Sequence, residues 1–232
     1  MPAYQHIFFD LDHTLWDFER CSCETLEELF HAHQMHTLAD NICADTFVNT
    51  FRKINRRLWI LYGAGEITQQ ELRTTRFNLI LNELGIVKQD ISAKLADDYI
   101  QLCPQKPHLL PYAKEVLDYL SNKYILHIIT NGFADVQMVK LKSANITSYF
   151  SEIITSEKAG CQKPDKRIFD FILQRIKSHP SECIMIGDSL DSDIKGAQNA
   201  HIDHIFYNYE NLQHQESPMH EIKCLSELKE LL

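Results

Sequence analysis

Short apolar runs without alternation recur along the chain: Ile7-Phe8-Phe9, Tyr124 to Ile129, Ile153-Ile154, Cys183 to Ile186 and Ile205-Phe206-Tyr207. Runs of this kind suit strands covered on both faces, as in a parallel sheet, because a strand with one wet face would alternate. Each stops at polar or glycine residues: Asp10, Thr130-Asn131-Gly132, Thr155-Ser156, Gly187-Asp188 and Asn208. Between them apolar positions return at helical spacing, in Ala113, Val116, Leu117 and Leu120 and again in Phe169, Ile172, Leu173 and Ile176. Pro111 and Pro164 stand near the starts of these helices, where a missing N–H costs little. From about residue 105 onward the alternation of strand and helix predicts a doubly wound, mainly parallel α/β sheet.

The stretch from Trp16 to Lys106 has no strand pattern. Four helices are predicted there, at about 17–35, 41–62, 68–84 and 89–103. Phe47, Phe51, Ile54, Leu58 and Leu61 form one helical stripe, and Phe77, Ile80, Leu81 and Leu84 another. The reading is an α-helical domain, residues 16–106, inserted after the first strand of a core made of residues 1–15 and 107–232, with hinges near Trp16-Asp17 and Cys103 to Pro107. A length of 232 residues agrees with a core plus an insertion, at ~100–200 residues per domain.

Composition narrows the functions available. Seven glycines leave no Gly-x-x-x-x-Gly-Lys loop, and after Gly63-Ala64-Gly65 the third glycine of a dinucleotide fingerprint is replaced by Thr68. A net charge of −9 argues against nucleic acid and anionic membrane surfaces as partners. Seven cysteines without a Cys-x-x-Cys read as reduced thiols, which suits a cytoplasmic protein. Met1-Pro2-Ala3-Tyr4-Gln5 lacks the basic start of a signal peptide, and no apolar run is long enough to span a bilayer.

The chemistry gathers at predicted strand ends. Asp10-Leu11-Asp12-His13-Thr14 follows the first strand, and Asp188 and Asp193 follow another. One Asp-x-Asp alone reads as a turn or a helix cap. Carboxylates at two strand ends change that reading, because in open α/β sheets that edge binds ligands, and converging carboxylates repel unless a hard cation such as Mg²⁺ joins them. Thr130-Asn131-Gly132 offers a hydroxyl, an amide and open backbone to phosphate oxygens, or simply makes a turn. Lys163, ahead of Pro164-Asp165, is either a solvated surface charge or the partner of a carboxylate and a phosphate.

Asp-x-Asp-x-Thr, Thr-Asn-Gly, Lys-Pro and Gly-Asp-x-x-x-x-Asp, in this order from Asp10 to Asp193, resemble the haloacid dehalogenase superfamily. The resemblance implies a Rossmann-like catalytic core with a helical cap of the C1 type. It implies a phosphatase mechanism in which Asp10 is the nucleophile and Asp12 the acid and base. Mg²⁺ would be held by Asp10, the Asp12 carbonyl and Asp188. Asp193 would orient metal-bound water or Lys163, and Thr130, Asn131 and Lys163 would bind the phosphoryl group. Asp12 favours a phosphatase over a dehalogenase, since an alkoxide needs a proton on leaving and a halide does not. His13 departs from the glycine usual there, and Asp191 reads as a first-turn helix residue with a metal ligand as the alternative. Thr130-Asn131-Gly132-Phe133 with Gln137, Ser156-Glu157-Lys158-Ala159-Gly160 and the segment Asn55 to Arg76 look most like the pyrimidine 5′-nucleotidase branch, to which N-acylneuraminate-9-phosphatases are close.

The cap segment Arg52 to Arg76 holds six basic and two acidic residues, either a solvated surface balancing acidic neighbours or a positive face that draws an anionic ester. Asn55, Trp59 and Tyr62 precede the Gly63-Ala64-Gly65 turn, which in C1 caps faces the active site. There they would contact the substrate; the alternative for the two aromatics is the cap core. The expectation is a monomeric or weakly dimeric phosphomonoesterase of small metabolites, with a pyrimidine nucleoside 5′-monophosphate as first substrate. A sugar-phosphate phosphatase, a phosphosugar mutase, a dehalogenase and a catalytically silent module are the alternatives.

Overall fold

The computed structural model describes residues 4–39, 42–86 and 89–232. Met1, Pro2 and Ala3, on which the signal-peptide reading rests, and Asn41, at the start of the second predicted helix, lie outside them. The chain divides into two compact units. One runs to Phe18 and resumes at Pro107; the other is Glu19–Lys106.

In chain order the elements are β1 (His6–Phe9), α1 (Phe18–Ala32), α2 (Ala44–Gly63), α3 (Gln69–Glu83), α4 (Gln89–Leu102), α5 (Ala113–Leu120), β2 (Ile125–Thr130), α6 (Ala134–Ser143), β3 (Phe150–Thr155), α7 (Ser156–Ala159), α8 (Lys166–Ile176), β4 (Cys183–Gly187), α9 (Lys195–Asn199), β5 (Asp203–Tyr207), β6 (His220–Ile222) and α10 (Leu228–Leu231). The strands form one six-stranded sheet in the order β3-β2-β1-β4-β5-β6, parallel throughout, with helices on both sides. The chain winds outward from β1 through β2 to β3, then returns to β4 on the other side of β1 and winds out to β6. Strand order therefore reverses between β1 and β4, and the carboxyl ends of those two strands border the crevice where such sheets bind ligands.

Burial explains which strands were legible in the sequence. β1 and β4 are buried at every position, as apolar runs demand. β6 has one buried residue in three, Ile222, and carries no readable pattern at the sheet edge. Phe8, Ile129, Ile154 and Met185 pack with Ile168, Phe169 and Ile172 of α8. This is the stripe whose spacing predicted that helix.

Two buried histidines lie in β1 and β2. His6 Nδ1 lies 3.0 Å from His127 Nε2 across β1 and β2, and His127 is fully buried with Nδ1 unpartnered. Burial pushes His127 down to about 4, helped by His6 and opposed by Glu152. His6 is lowered too, by burial against the pull of Glu182. Below the unfolded value of ~6.5 the unfolded chain takes up the proton that folded His127 refuses, so stability falls as pH drops toward 4. The loss amounts to roughly 3 kcal/mol. Denaturant melts from pH 7 to 4 should show a shallower acid decline in His127→Gln than in the wild type; parallel curves would refute this assignment.

The helical unit packs α2, α3 and α4 around Phe47, Phe51, Phe77 and Tyr99, with ring centroids 4.9 to 6.4 Å apart. Thr68 opens α3 with a capping box: its Oγ1 accepts from Glu71 N, and Glu71 accepts from Thr68 N at 2.7 Å. Arg76 is buried here, its guanidinium over Phe51 and Tyr99 at 5.3 and 4.8 Å. Among the described residues no helix is long and apolar enough to cross a membrane.

Candidate active site

Asp10 follows β1 directly, and its N–H continues the ladder by donating to Ile186 O of β4. The next turn is tight. His13 takes φ 63°, the left-handed conformation that glycine adopts freely and histidine tolerates. This accounts for the residue that departs from the usual glycine. The His13 ring lies against Phe18 at 4.9 Å, and its Nδ1 is 3.2 Å from Tyr209 Oη. Thr14 is fully buried and donates to Asp188 Oδ1 at 3.0 Å, tying the β1 turn to the end of β4.

Lys163 arrives from the loop before α8 and is 3% exposed. Its Nζ contacts Asp10 Oδ1 at 2.5 Å, Asp193 Oδ1 at 2.6 Å and Ile129 O at 2.7 Å. The ammonium has three donors, and all three are used. Asn131 fixes the lysine from behind: its Oδ1 accepts from Lys163 N at 2.8 Å and its Nδ2 donates to Lys163 O at 2.9 Å. The Asn131 side chain is thus occupied in shaping the loop. Asp193 sits in a wide turn, Leu190–Ile194, in which Ile194 N reaches back to Ser189 O. Its Oδ2 accepts from Ser189 N, and a Cβ on Gly187 would come within 2.2 Å of that oxygen.

Asp10, Asp188 and Asp193 each offer an oxygen, and these atoms all lie within 4.8 Å of one another. One lysine does not neutralise three carboxylates. Burial, with the charge of Asp193, pushes Asp188 up to about 8 against the hydrogen bond from Thr14. Asp10 is also raised, by burial first and then by Asp193 and Asp188, although Lys163 pulls the other way. Lys163 is held above its usual range, the two carboxylates outweighing its burial. A buried, oxygen-only donor set short of positive charge fits a hard divalent cation such as Mg²⁺. Asp191 is exposed and stands outside this group.

Asp12 has a different environment. Its Oδ1 accepts from Lys140 Nζ at 2.6 Å and its Oδ2 from Gln137 Nε2 at 2.8 Å. Burial would raise its pKa, but Lys140 and Gln137 prevail and hold it below the usual carboxylate range. Gln137 Nε2 also donates to Thr130 Oγ1, which accepts Gly132 N as well. The Thr130 oxygen is then fully engaged as an acceptor, and its O–H remains to donate to a ligand. Gly132 is required by this arrangement, since a Cβ there would lie 1.8 Å from Gln137 Nε2.

The structure therefore brings Asp10, Asp12, Thr130, Asn131, Lys163, Asp188 and Asp193 to one edge of the sheet. It adds Thr14, Gln137 and Lys140, to which sequence reasoning gave no role in the site. Gln137 and Lys140 lie three apart on α6, directly after Thr130-Asn131-Gly132, and that i, i+3 spacing was the available signal.

Asn55, Trp59 and Tyr62 belong to the helical unit. Asn55 is buried and its Oδ1 accepts from Arg76 Nη1 at 3.0 Å, while Trp59 and Tyr62 meet edge to face at 5.6 Å, both partly buried. The basic run is partly balanced by acids outside it, through Arg52–Glu19 at 2.8 Å and Lys53–Glu83 at 2.6 Å.

The family model of haloacid dehalogenase-like hydrolases matches residues 4–201. The chain is 31% identical to the HAD-hydrolase YfnB of Bacillus subtilis, over 100% of this chain and 97% of that one. It is 32% identical to the pyrimidine 5′-nucleotidase PynA of Streptococcus pneumoniae, over 99% and 95% of the two chains. For the pyrimidine 5′-nucleotidase YjjG of Escherichia coli the figures are 29%, 97% and 96%. The crystal structure of YfnB bound to magnesium superposes with a TM-score of 0.87 at 30% identity, covering 99% of this chain and 98% of the other. With the four motifs converging on one sheet edge, the chain belongs to the haloacid dehalogenase-like hydrolases.

Proposed function

We propose that the protein is a Mg²⁺-dependent phosphomonoesterase that works through an aspartyl-phosphate, with pyrimidine nucleoside 5′-monophosphates as its first substrates. The observation that carries the reading is the split between two neighbouring carboxylates. Asp10 faces Lys163 and the acidic cluster, and Asp12 is turned to Lys140 and Gln137. Two carboxylates in different environments suit different tasks, one as nucleophile and one as proton carrier. A dehalogenase has no need of the second.

Mg²⁺ would be held by Asp10, Asp188 and the Asp12 carbonyl, and when bound it supplies positive charge that screens the nucleophile from the phosphate it attacks. An Asp10 oxygen attacks phosphorus, and the bond to the ester oxygen breaks. Asp12, ionised at rest, takes up a proton from solvent in the substrate complex and passes it to the departing alkoxide. It then takes one from water as the water attacks the aspartyl-phosphate, releasing phosphate and restoring Asp10. The Thr130 hydroxyl, Asn131 N–H and Lys163 hold the phosphoryl oxygens. Lys163 has no spare donor at rest, so it must trade a contact. Asp10 is the partner whose charge disappears on phosphorylation, and Lys163 can follow that charge onto the phosphoryl group while Asp193 and Ile129 O keep it in place.

The pyrimidine preference is supported by the named activities of PynA and YjjG. Trp59 and Tyr62 carry base recognition in this reading, since Asn55 is engaged by Arg76. A cytoplasmic, monomeric or weakly dimeric enzyme completes the proposal, with seven free thiols in support. The test is phosphate release from UMP, dUMP, dTMP, purine monophosphates, sugar phosphates and phosphoglycolate. Release is expected with Mg²⁺, stopped by EDTA, and fastest on pyrimidine nucleotides. A preference for sugar phosphates would overturn the substrate, and silence across the panel would overturn the activity.

A further inference from the structure

We infer that Lys140 is a positioning residue for Asp12: it fixes the carboxylate in the place from which a proton reaches the ester oxygen. The inference rests on the phosphatase reading above. Lys140 is almost fully buried, its side chain 6% exposed, whereas the Asp12 side chain keeps 23% exposure. The ammonium lies 4.5 Å from the Trp16 ring and 5.8 Å from the Phe18 ring. Trp16 is itself fully buried, and the turn holds it by Trp16 N→Leu11 O at 2.9 Å and His13 N→Trp16 O at 3.0 Å. The cation is therefore confined, and Asp12 Oδ1 is confined with it.

Gln137 holds the other oxygen and links it to Thr130, so the proton carrier and a phosphate-binding hydroxyl share one support. A carboxylate has about four lone-pair sites. Two are taken from the α6 side, and the open side is left for the ester oxygen. Burying an ion pair contributes little net stability, because desolvation cancels much of the attraction. A geometric role explains the cost of taking this lysine out of water.

The test uses the leaving group. An aryl phosphate such as p-nitrophenyl phosphate expels a stable phenolate that needs no proton, whereas an alkyl phosphate expels an alkoxide that does. The value of kcat/KM reports only the steps up to phosphoryl transfer, so the later attack of water does not enter. In Lys140→Met, kcat/KM should fall by ~100-fold on the alkyl phosphomonoester that the wild type turns over best, and by less than ~3-fold on p-nitrophenyl phosphate. Lys140→Arg, which keeps the cation, should recover most of the alkyl activity. Taking the ratio of the two esters on one preparation cancels any misfolded fraction. Equal losses on both esters, or no loss on either, overturn the role of Lys140. They leave the phosphatase reading intact, since that reading is decided by the wild-type enzyme alone.

Discussion

Asp10→Asn is expected to lose phosphate release by a factor on the order of 10⁴ or more, while its melting temperature in EDTA stays level or rises. The two halves follow from one observation. Asp10 is buried among Asp188, Asp193 and Lys163, and its pKa is raised in spite of the lysine. A carboxyl group whose pKa is raised on folding is charged in the folded state only at a cost, a cost that an amide of the same shape avoids. The amide cannot attack phosphorus. Thermal melts and phosphate assays on the same preparation therefore separate a lost nucleophile from a damaged fold. A variant that retains turnover sinks the nucleophile, and one that loses several degrees sinks the account of the cluster as short of positive charge.

The parts of the site that sequence could reveal are those where chemistry stands next to a strand. Asp10, Thr130 and Asp188 each follow or end a buried apolar run, so one local pattern predicted both the strand and its catalytic end. Lys140 and Gln137 escaped because their partner is distant. They meet Asp12 across 128 and 125 positions; on α6 Lys140 reads as an ordinary helix residue, and Gln137 figures only in the likeness to the nucleotidase branch, without a role. Thr14 was written in the motif, but its task, holding Asp188, appears only when β1 and β4 lie side by side. From the sequence Asn55 reads as a substrate contact outside the apolar stripe Phe47, Phe51, Ile54, Leu58 and Leu61. The structure buries it because Arg76 of α3 covers that side, widening the buried face beyond what spacing alone describes. His13 was flagged by its type and explained by its φ, a backbone property that side-chain patterning does not encode.

Lys163→Met should damage the protein twice, and the two injuries can be told apart. Met fills nearly the same volume and leaves Asp10 and Asp193 without the ammonium they share; the Asp193 side chain is 1% exposed. Breaking one side of a buried pair costs roughly 3–5 kcal/mol, far more than the intact pair contributes, because the remaining charge is stranded away from water. Denaturant melts in EDTA should show a loss of this size. Asp193→Asn placed on top of Lys163→Met should recover part of it by removing one stranded charge, so the double variant is expected to be more stable than the single one. Turnover should not recover. Without Lys163 the phosphoryl oxygens lose a preorganised cation, and a fall in kcat on the order of 10³ is expected in both variants. A single variant as stable as wild type would mean that the lysine is not balancing the cluster. Turnover restored by Asp193→Asn would mean that Lys163 acts only as a structural counter-charge and takes no part in holding the transferring group.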